Sequence, residues 1–344
     1  MVTLEKMNPE DKLLFALTRQ RFLQVHQKTV FEICNNNEIK WDVVFSTARV
    51  HGVAPLIYSN LCQCAKANLR IPQDIMEQFK LYFYRNILTV KQKTELLLKV
   101  LSFFKRKSID IMLIKGVALD VLVYDYPWLT VQNDYDIILK WRIEDVSKRD
   151  MADILNMRIP HLNNCLPVNF SRIWSEAVKI NFLGQDVFVM SPEDLLIAAC
   201  INSCRKRFFR LKNLCDIAEI INKYNGLKWE EVTKKSKEYQ CNIIVYTALL
   251  ITKAALGCEF PERVLVDLSV NQARCKIIHL LIHYLNQQMS LSSLYPFLEE
   301  NPYMRKFNSS LILPYVTYNW HNLYHKLKYI FYRKIKMASL RLRK

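Results

Sequence analysis

Glycine sets the first limit on what this chain can become: 344 residues contain only five. Tight turns and hairpins draw heavily on Gly and Pro. Five Gly and 11 Pro cannot supply the turns of a mainly β protein, so helices should dominate. Hydrophobic residues make up 51% of the chain and charged residues 24%, a balance that supports a packed core and excludes a disordered polymer. At this length two to three units, each able to bury a core, are expected.

Charge and cysteine usage narrow the setting. A formal net charge of +17 implies a polyanionic partner (nucleotide, nucleic acid, anionic lipid or polysaccharide), or else serves solubility alone. Ten cysteines include Cys62-x-Cys64 and Cys200-x3-Cys204, and neither belongs to a paired framework with zinc spacing. Cys200 and Cys204 lie one helical turn apart in an apolar run, as buried thiols do. Scattered cysteines fit a reducing cytoplasm. The first residues, MVTLEKMNPEDKLL, lack the basic and apolar regions of a signal peptide. The most apolar run, 243–252, stops at Lys253, too short for a membrane span. A cytoplasmic protein is the expectation.

Along the chain, residues 1–107 read as an N-terminal helical region. The apolar spacing of 41–61 is helical and is interrupted at Gly52-Val53-Ala54-Pro55, where one helix ends and another begins. His51, beside that break, reads as a helix C-terminal residue. After Pro72 a long helix is expected to about Arg106, with Phe83, Ile87, Val90, Leu97, Leu101 and Phe104 on one stripe. Residues 108–190 read as a small α/β core. Within it 110–114 is a buried strand, Gly116 a turn where backbone comes close to something, 117–124 a helix and 135–140 a second strand. A helix over 144–157, a loop from Pro160 and a hairpin over 179–190 turning at 183–186 follow. Ser191-Pro192-Glu193-Asp194 has the cap, proline and acids of a helix start. It opens a helical domain, 191–300, with breaks at Gly226 and 257–261. Residues 301–344 form a basic aromatic segment. Its last 24 residues hold eight Lys and Arg and no acid, with Tyr324, Tyr329, Phe331 and Tyr332 interleaved. Such an end either meets an anionic surface or polyanion or is a solvated amphipathic helix.

Chemistry is concentrated in 109–140. Asp134 and Asp136 stand two residues apart at the start of a strand, which points both carboxylates to one face. Two adjacent acids are electrostatically unfavourable unless a cation lies between them. A glycosyltransferase Asp-x-Asp places its apolar strand before the acids, whereas here Thr130, Gln132 and Asn133 precede and Ile137-Ile138-Leu139 follows. An EF-hand loop needs further oxygen ligands and a downstream Gly, which are absent. Two readings remain: a solvated pair at a strand start, or a Mg²⁺-dependent phosphoryl-transfer site in which Gly116 admits phosphates at a strand-to-helix turn.

The ordered motifs resemble a known family, the poorly characterised bacterial nucleotidyltransferase-like proteins of the DNA-polymerase-β type. The match covers nearly the whole chain. It runs through 41–61 with His51-Gly52-Val53-Ala54-Pro55, then 113–119 around Lys115-Gly116, then Asn133-Asp134-Tyr135-Asp136. It continues through 189–196, Arg207 to Leu211 with Asp216-Ile217-Ala218, and Trp229. The resemblance implies a predominantly helical α+β protein, with a small mixed nucleotidyltransferase sheet flanked by N-terminal and C-terminal helical domains. It implies transfer of a nucleoside monophosphate from an NTP to an acceptor, with Mg²⁺ or Mn²⁺ at Asp134 and Asp136. Lys115, Gly116, Lys206 and Arg210 would contact the nucleotide, the last two from one face of a single helix at i, i+4.

The chain departs from the family pattern at three points. Thr130 stands where the family has an Arg, and Val117 where the wider superfamily has a Ser. The third carboxylate, expected on a later strand before a His-Trp pair, is missing where 144–157 runs into Arg158-Ile159-Pro160-His161-Leu162. Asp153 lies on an expected helix and is not a substitute. These departures motivate the alternative of a catalytically impaired member that binds nucleotide or polyanion.

Overall fold

The computed structural model describes residues 7–132, 134–140, 168–206, 208, 210–288 and 291. The helix expected over 144–157, the loop after it and the basic segment 321–344 lie outside the described residues.

Four helices form the N-terminal part: α1 (Pro9–Leu17), α2 (Gln24–Asn36), α3 (Trp41–Val50) and α4 (Ala54–Lys66). α1 starts where the Asn8 side chain accepts from the Asp11 N–H at 2.7 Å and Pro9 takes the first position, a standard cap. α3 and α4 part at Gly52, whose φ of +73° a side chain would resist. α5 runs unbroken from Gln73 to Arg106, roughly 50 Å at 1.5 Å per residue. Phe79, Val90, Leu97, Leu101 and Phe104 are its buried apolar stripe, and it packs on α3, α4 and the sheet.

Among the described residues the sheet has four strands: β1 (Asp110–Ile114), β2 (Asp136–Lys140), β3 (Val178–Phe182) and β4 (Gln185–Val189). Their spatial order is β2-β1-β4-β3. β1 pairs antiparallel with β2 and parallel with β4, and β3 with β4 forms an antiparallel hairpin. β1 is therefore central, which explains why Ile111, Met112, Leu113 and Ile114 are all buried and why the sequence shows a continuous apolar run there. The hairpin turns on Leu183 and Gly184, both at positive φ (48° and 84°), as its tight turn requires.

Between β1 and β2 lies α6 (Lys115–Leu122), and before the hairpin lies α7 (Phe170–Ser175). The remaining helices among the described residues are α8 (Pro192–Arg205), α9 (Leu211–Lys223), α10 (Trp229–Glu238), α11 (Asn242–Leu256), α12 (Arg263–Asp267) and α13 (Gln272–Gln288). Ser191 caps α8 by accepting from the Asp194 N–H at 3.3 Å. Gly257 closes α11 in the left-handed region at φ +65°, a usual helix stop. The architecture is α+β and predominantly helical. Among the described residues, no helix is long and apolar enough to cross a membrane.

Candidate active site

The β1–β2 register builds the first wall. Ile114 pairs with Asp136, so Lys115, one residue past the strand, stands beside that carboxylate and its Nζ lies 2.7 Å from Asp136 Oδ2. Lys115 sits at φ +53°, a strained backbone for a residue with a side chain. Burial raises the Asp136 carboxyl above its ordinary range; the hydrogen bond from Lys115 opposes the shift and nearby Asp134 adds to it. Asp134 is exposed, Asp136 is buried, and both line one cavity. Tyr135 between them is turned into the protein, with its hydroxyl 3.5 Å from Thr94 Oγ1.

The loop leading to β2 is held from three sides. Asn86 Nδ2 on α5 donates to the carbonyls of Trp128 and Thr130, at 2.8 and 3.1 Å. Lys93 Nζ donates to the Gln132 carbonyl, and the Val131 N–H donates to Gly52 O at 3.2 Å. Thr130 is fully buried, so a position where the resemblance leads one to expect an Arg is here a packed core position. The Gln132 side chain donates to Asp120 Oδ1 (3.1 Å) and Thr130 Oγ1 (3.2 Å). It also explains Gly116: a Cβ there would lie 2.0 Å from Gln132 Oε1. The close approach that glycine permits is thus taken up by a protein side chain, while Gly116 itself still faces the cavity. Asp120 is buried with Oδ2 unpartnered. Burial pushes its carboxyl up to about 8, against the pull of Lys212 and the Gln132 hydrogen bond.

The opposite wall comes from α8, α9 and the segment joining them. The sequence pattern there reads as one continuous helix, and the structure corrects it. α8 stops at Arg205, Lys206 is its C-terminal cap, and Arg210 is the cap preceding α9. The Phe208 N–H turns back to the Ser203 carbonyl at 2.8 Å, and Phe208, at φ +64°, is 2% exposed. Burying that ring outweighs continuing the helix. Lys206 and Arg210 therefore share no helix face, yet both reach the cavity.

His51 ties this segment to the N-terminal helices. It is the C-terminal cap of α3, as its place in the sequence suggests. Its Nδ1 also accepts from the Leu211 N–H at 3.1 Å, while its carbonyl accepts from Lys212 N–H at 3.3 Å. Because Nδ1 accepts, the proton is on Nε2, which donates to Leu291 O at 3.0 Å. Burial lowers the imidazole to about 4, consistent with a neutral ring. The N–H groups of Asn213 and Leu214 bond to Arg210 O. All four leading donors of α9 are thus used internally, which leaves no free N–H group for an anion at this helix end.

Together these walls enclose about 460 Å³, within the range of small-molecule sites. Lys115, Gly116, Asp134, Asp136, Lys206 and Arg210 all line it. Arg205, Lys212, Asn202 and Gln132 join them there. Arg205 belongs to the basic run visible in sequence and its charge acts on Asp136. Lys212 is committed to Asp216 (2.7 Å), whose other oxygen accepts from the Tyr124 hydroxyl at 2.8 Å. No set of three metal-ligating side chains occurs among the described residues. Carboxylates are the donor type that Mg²⁺ takes beside water and phosphate oxygens, and one of the two here, Asp136, is already paired with Lys115.

A family model described as "Uncharacterised nucleotidyltransferase" matches residues 37–149 and 153–257, more than half of the chain. The chain belongs to this nucleotidyltransferase family. The matched span includes both walls of the cavity and the His51 tie between them. Neither curated proteins nor solved structures yielded a match.

Proposed function

We propose that this nucleotidyltransferase-family protein moves a nucleoside monophosphate from an NTP to an acceptor at the cavity between β2, α6 and α8. One observation carries the reading: a single cavity joins Asp134 and Asp136 on one wall to Arg205, Lys206 and Arg210 on the other. A divalent cation, Mg²⁺ or Mn²⁺, would be held by Asp134 and Asp136 and would offset charge on the reacting phosphates. Arg205, Lys206 and Arg210 would receive the β- and γ-phosphates with charge-assisted hydrogen bonds. Lys115 orients Asp136 through its 2.7 Å contact. In the transfer an acceptor oxygen bonds to the α-phosphorus as the bond to the α,β-bridging oxygen breaks. Pyrophosphate leaves, and the acceptor's proton passes to water.

A second reading is favoured by the Lys115–Asp136 pair, which already neutralises one acid, and by the lack of a third metal-ligating partner among the described residues. In that reading the cavity binds nucleotide and performs no transfer. Calorimetric titration with ATP and Mg²⁺, followed by a pyrophosphate-release assay over a panel of acceptors, separates the two. Binding with release supports transfer, and binding without release supports the second reading. Absence of binding contradicts both.

A further inference from the structure

The α8 wall of the cavity changes character along its length. Leu195, Ala198, Ala199 and Asn202 line it and recur at i, i+3, i+4 and i+7, which is one face of a helix. Arg205 and the cap Lys206 line the cavity further along, and the Arg205 charge acts on Asp136. From Leu195 to Arg205 the helix rises about 15 Å at 1.5 Å per residue. Over that distance the lining passes from apolar side chains, two of them small, through a neutral amide to cations. Leu119 and Val131 add further apolar lining.

Asn213 on α9 supplies a second neutral amide. Its side chain is 3% exposed, lines the cavity and has no hydrogen-bond partner among the described residues. The Asn202 amide likewise has none among them. Other polar groups of the lining are occupied: Gln132 by Asp120 and Thr130, and Asp216 by Lys212 and Tyr124. Buried amides are paired as a rule, so Asn213 is a group that a ligand entering the cavity would satisfy.

We propose that Asn202 and Asn213 determine base specificity: the nucleobase lies on the Leu195–Ala198–Ala199 face, the two amides read its polar edge, and the phosphates extend toward Arg205. The two alanines leave room for a flat ring beside the helix. A carboxamide offers a donor and an acceptor side by side, the complement of a base edge. A base whose edge leaves such a buried amide unpaired is rejected strongly. This assignment rests on the reading of the cavity as a triphosphate site, and the probes below separate the two.

The test titrates the full chain in Mg²⁺ with ATP, GTP, CTP, UTP and inorganic tripolyphosphate, which has no base. The tightest NTP should bind at least tenfold more tightly than both the weakest NTP and tripolyphosphate. Asn202→Ala/Asn213→Ala should bring the four NTPs within about threefold of one another and leave tripolyphosphate affinity unchanged. Neither amide bonds to another described residue, so Tm should hold. If it falls, Asn202→Ala/Asn213→Ser, which keeps a polar group at the buried position, is held to the same expectation. Equal binding of tripolyphosphate and all four NTPs would overturn the base subsite and leave the triphosphate reading standing. A base preference that survives in the double variant would also overturn it. NTP binding that depends on the two asparagines, with no tripolyphosphate binding, would keep the base subsite and remove the phosphate role of the cationic end. No binding of any probe would overturn both readings.

Discussion

Lys235 and Lys115 are both lysines drawn out of solvent and met by carboxylates, and they differ in how fully they are met. The Lys235 side chain is 1% exposed and its Nζ is bonded to Glu176, Asp194 (2.8 Å) and Ser191 Oγ (3.5 Å). Its three N–H donors have three acceptors. Arg172 extends the cluster by pairing with Glu176, Glu231 and Glu238, so α7, α8 and α10 are fastened together. Lys115 has one acceptor, Asp136, an open cavity beside it and a strained backbone. A saturated cluster has nothing left to offer a ligand and acts as a fastening. An unsaturated one on a cavity wall keeps donor capacity and charge for something that enters.

That contrast can be broken most forcefully at Lys235. Lys235→Met strands Asp194 and Glu176 around an apolar side chain and should cost about 3–5 kcal/mol. Scanning calorimetry should then show Tm lower by roughly 10 °C; a shift under about 2 °C would remove the distinction. At Gly116 a methyl group collides with the Gln132 side chain that Asp120 and Thr130 hold in place. Gly116→Ala should therefore destabilise by about 1–3 kcal/mol, with partial recovery in Gly116→Ala/Gln132→Ala measured by urea denaturation. No recovery in the double variant would mean that the clash lies elsewhere.

Asp120 gives a pH-dependent test. Its carboxyl is pushed up to about 8 from an ordinary 3.8, so the folded protein holds a proton that the unfolded chain has lost. The stability linked to that proton is present below about pH 4 and is lost as pH rises through about 8. Asp120→Asn keeps an acceptor for Gln132 and removes the titration. Its Tm relative to the parent should rise by a few degrees between pH 5 and 8.5, and a flat difference would contradict the assignment. The smallest change in stability is expected for Lys115→Gly, which relieves the φ of +53° while removing a partner of Asp136. Tm should move by no more than about 3 °C, and triphosphate affinity should fall about tenfold by titration. A Tm loss as large as that of Lys235→Met would place Lys115 among the fastenings.

Much of the scaffold was legible because its signals are local. A central strand buried on both faces wrote an apolar run at 111–114. The α5 stripe wrote its period over 34 residues, and Ser191-Pro192 wrote its own cap. The two acids were legible for the same reason, since both belong to one short strand entry. The far wall was not. The chain between Lys206 and Arg210 has no Gly or Pro to announce a break, which arises from burial of the Phe208 ring in the assembled protein. Gly116 was recognisable as a close approach, but its partner Gln132 is set by the fold of the loop. Likewise His51 read correctly as a helix end, while its bond to Leu211, 160 residues later, depends on tertiary packing.

The proposed reaction needs the Asp134–Asp136 wall to act on a triphosphate held by the Arg205–Arg210 wall. Its most direct test is pyrophosphate release from ATP by Asp136→Asn against the parent protein, across a Mg²⁺ titration. Asp136→Asn should lose release at least a hundredfold together with its Mg²⁺ dependence, with the fold intact by Tm. Full turnover with unaltered Mg²⁺ dependence in Asp136→Asn would contradict it.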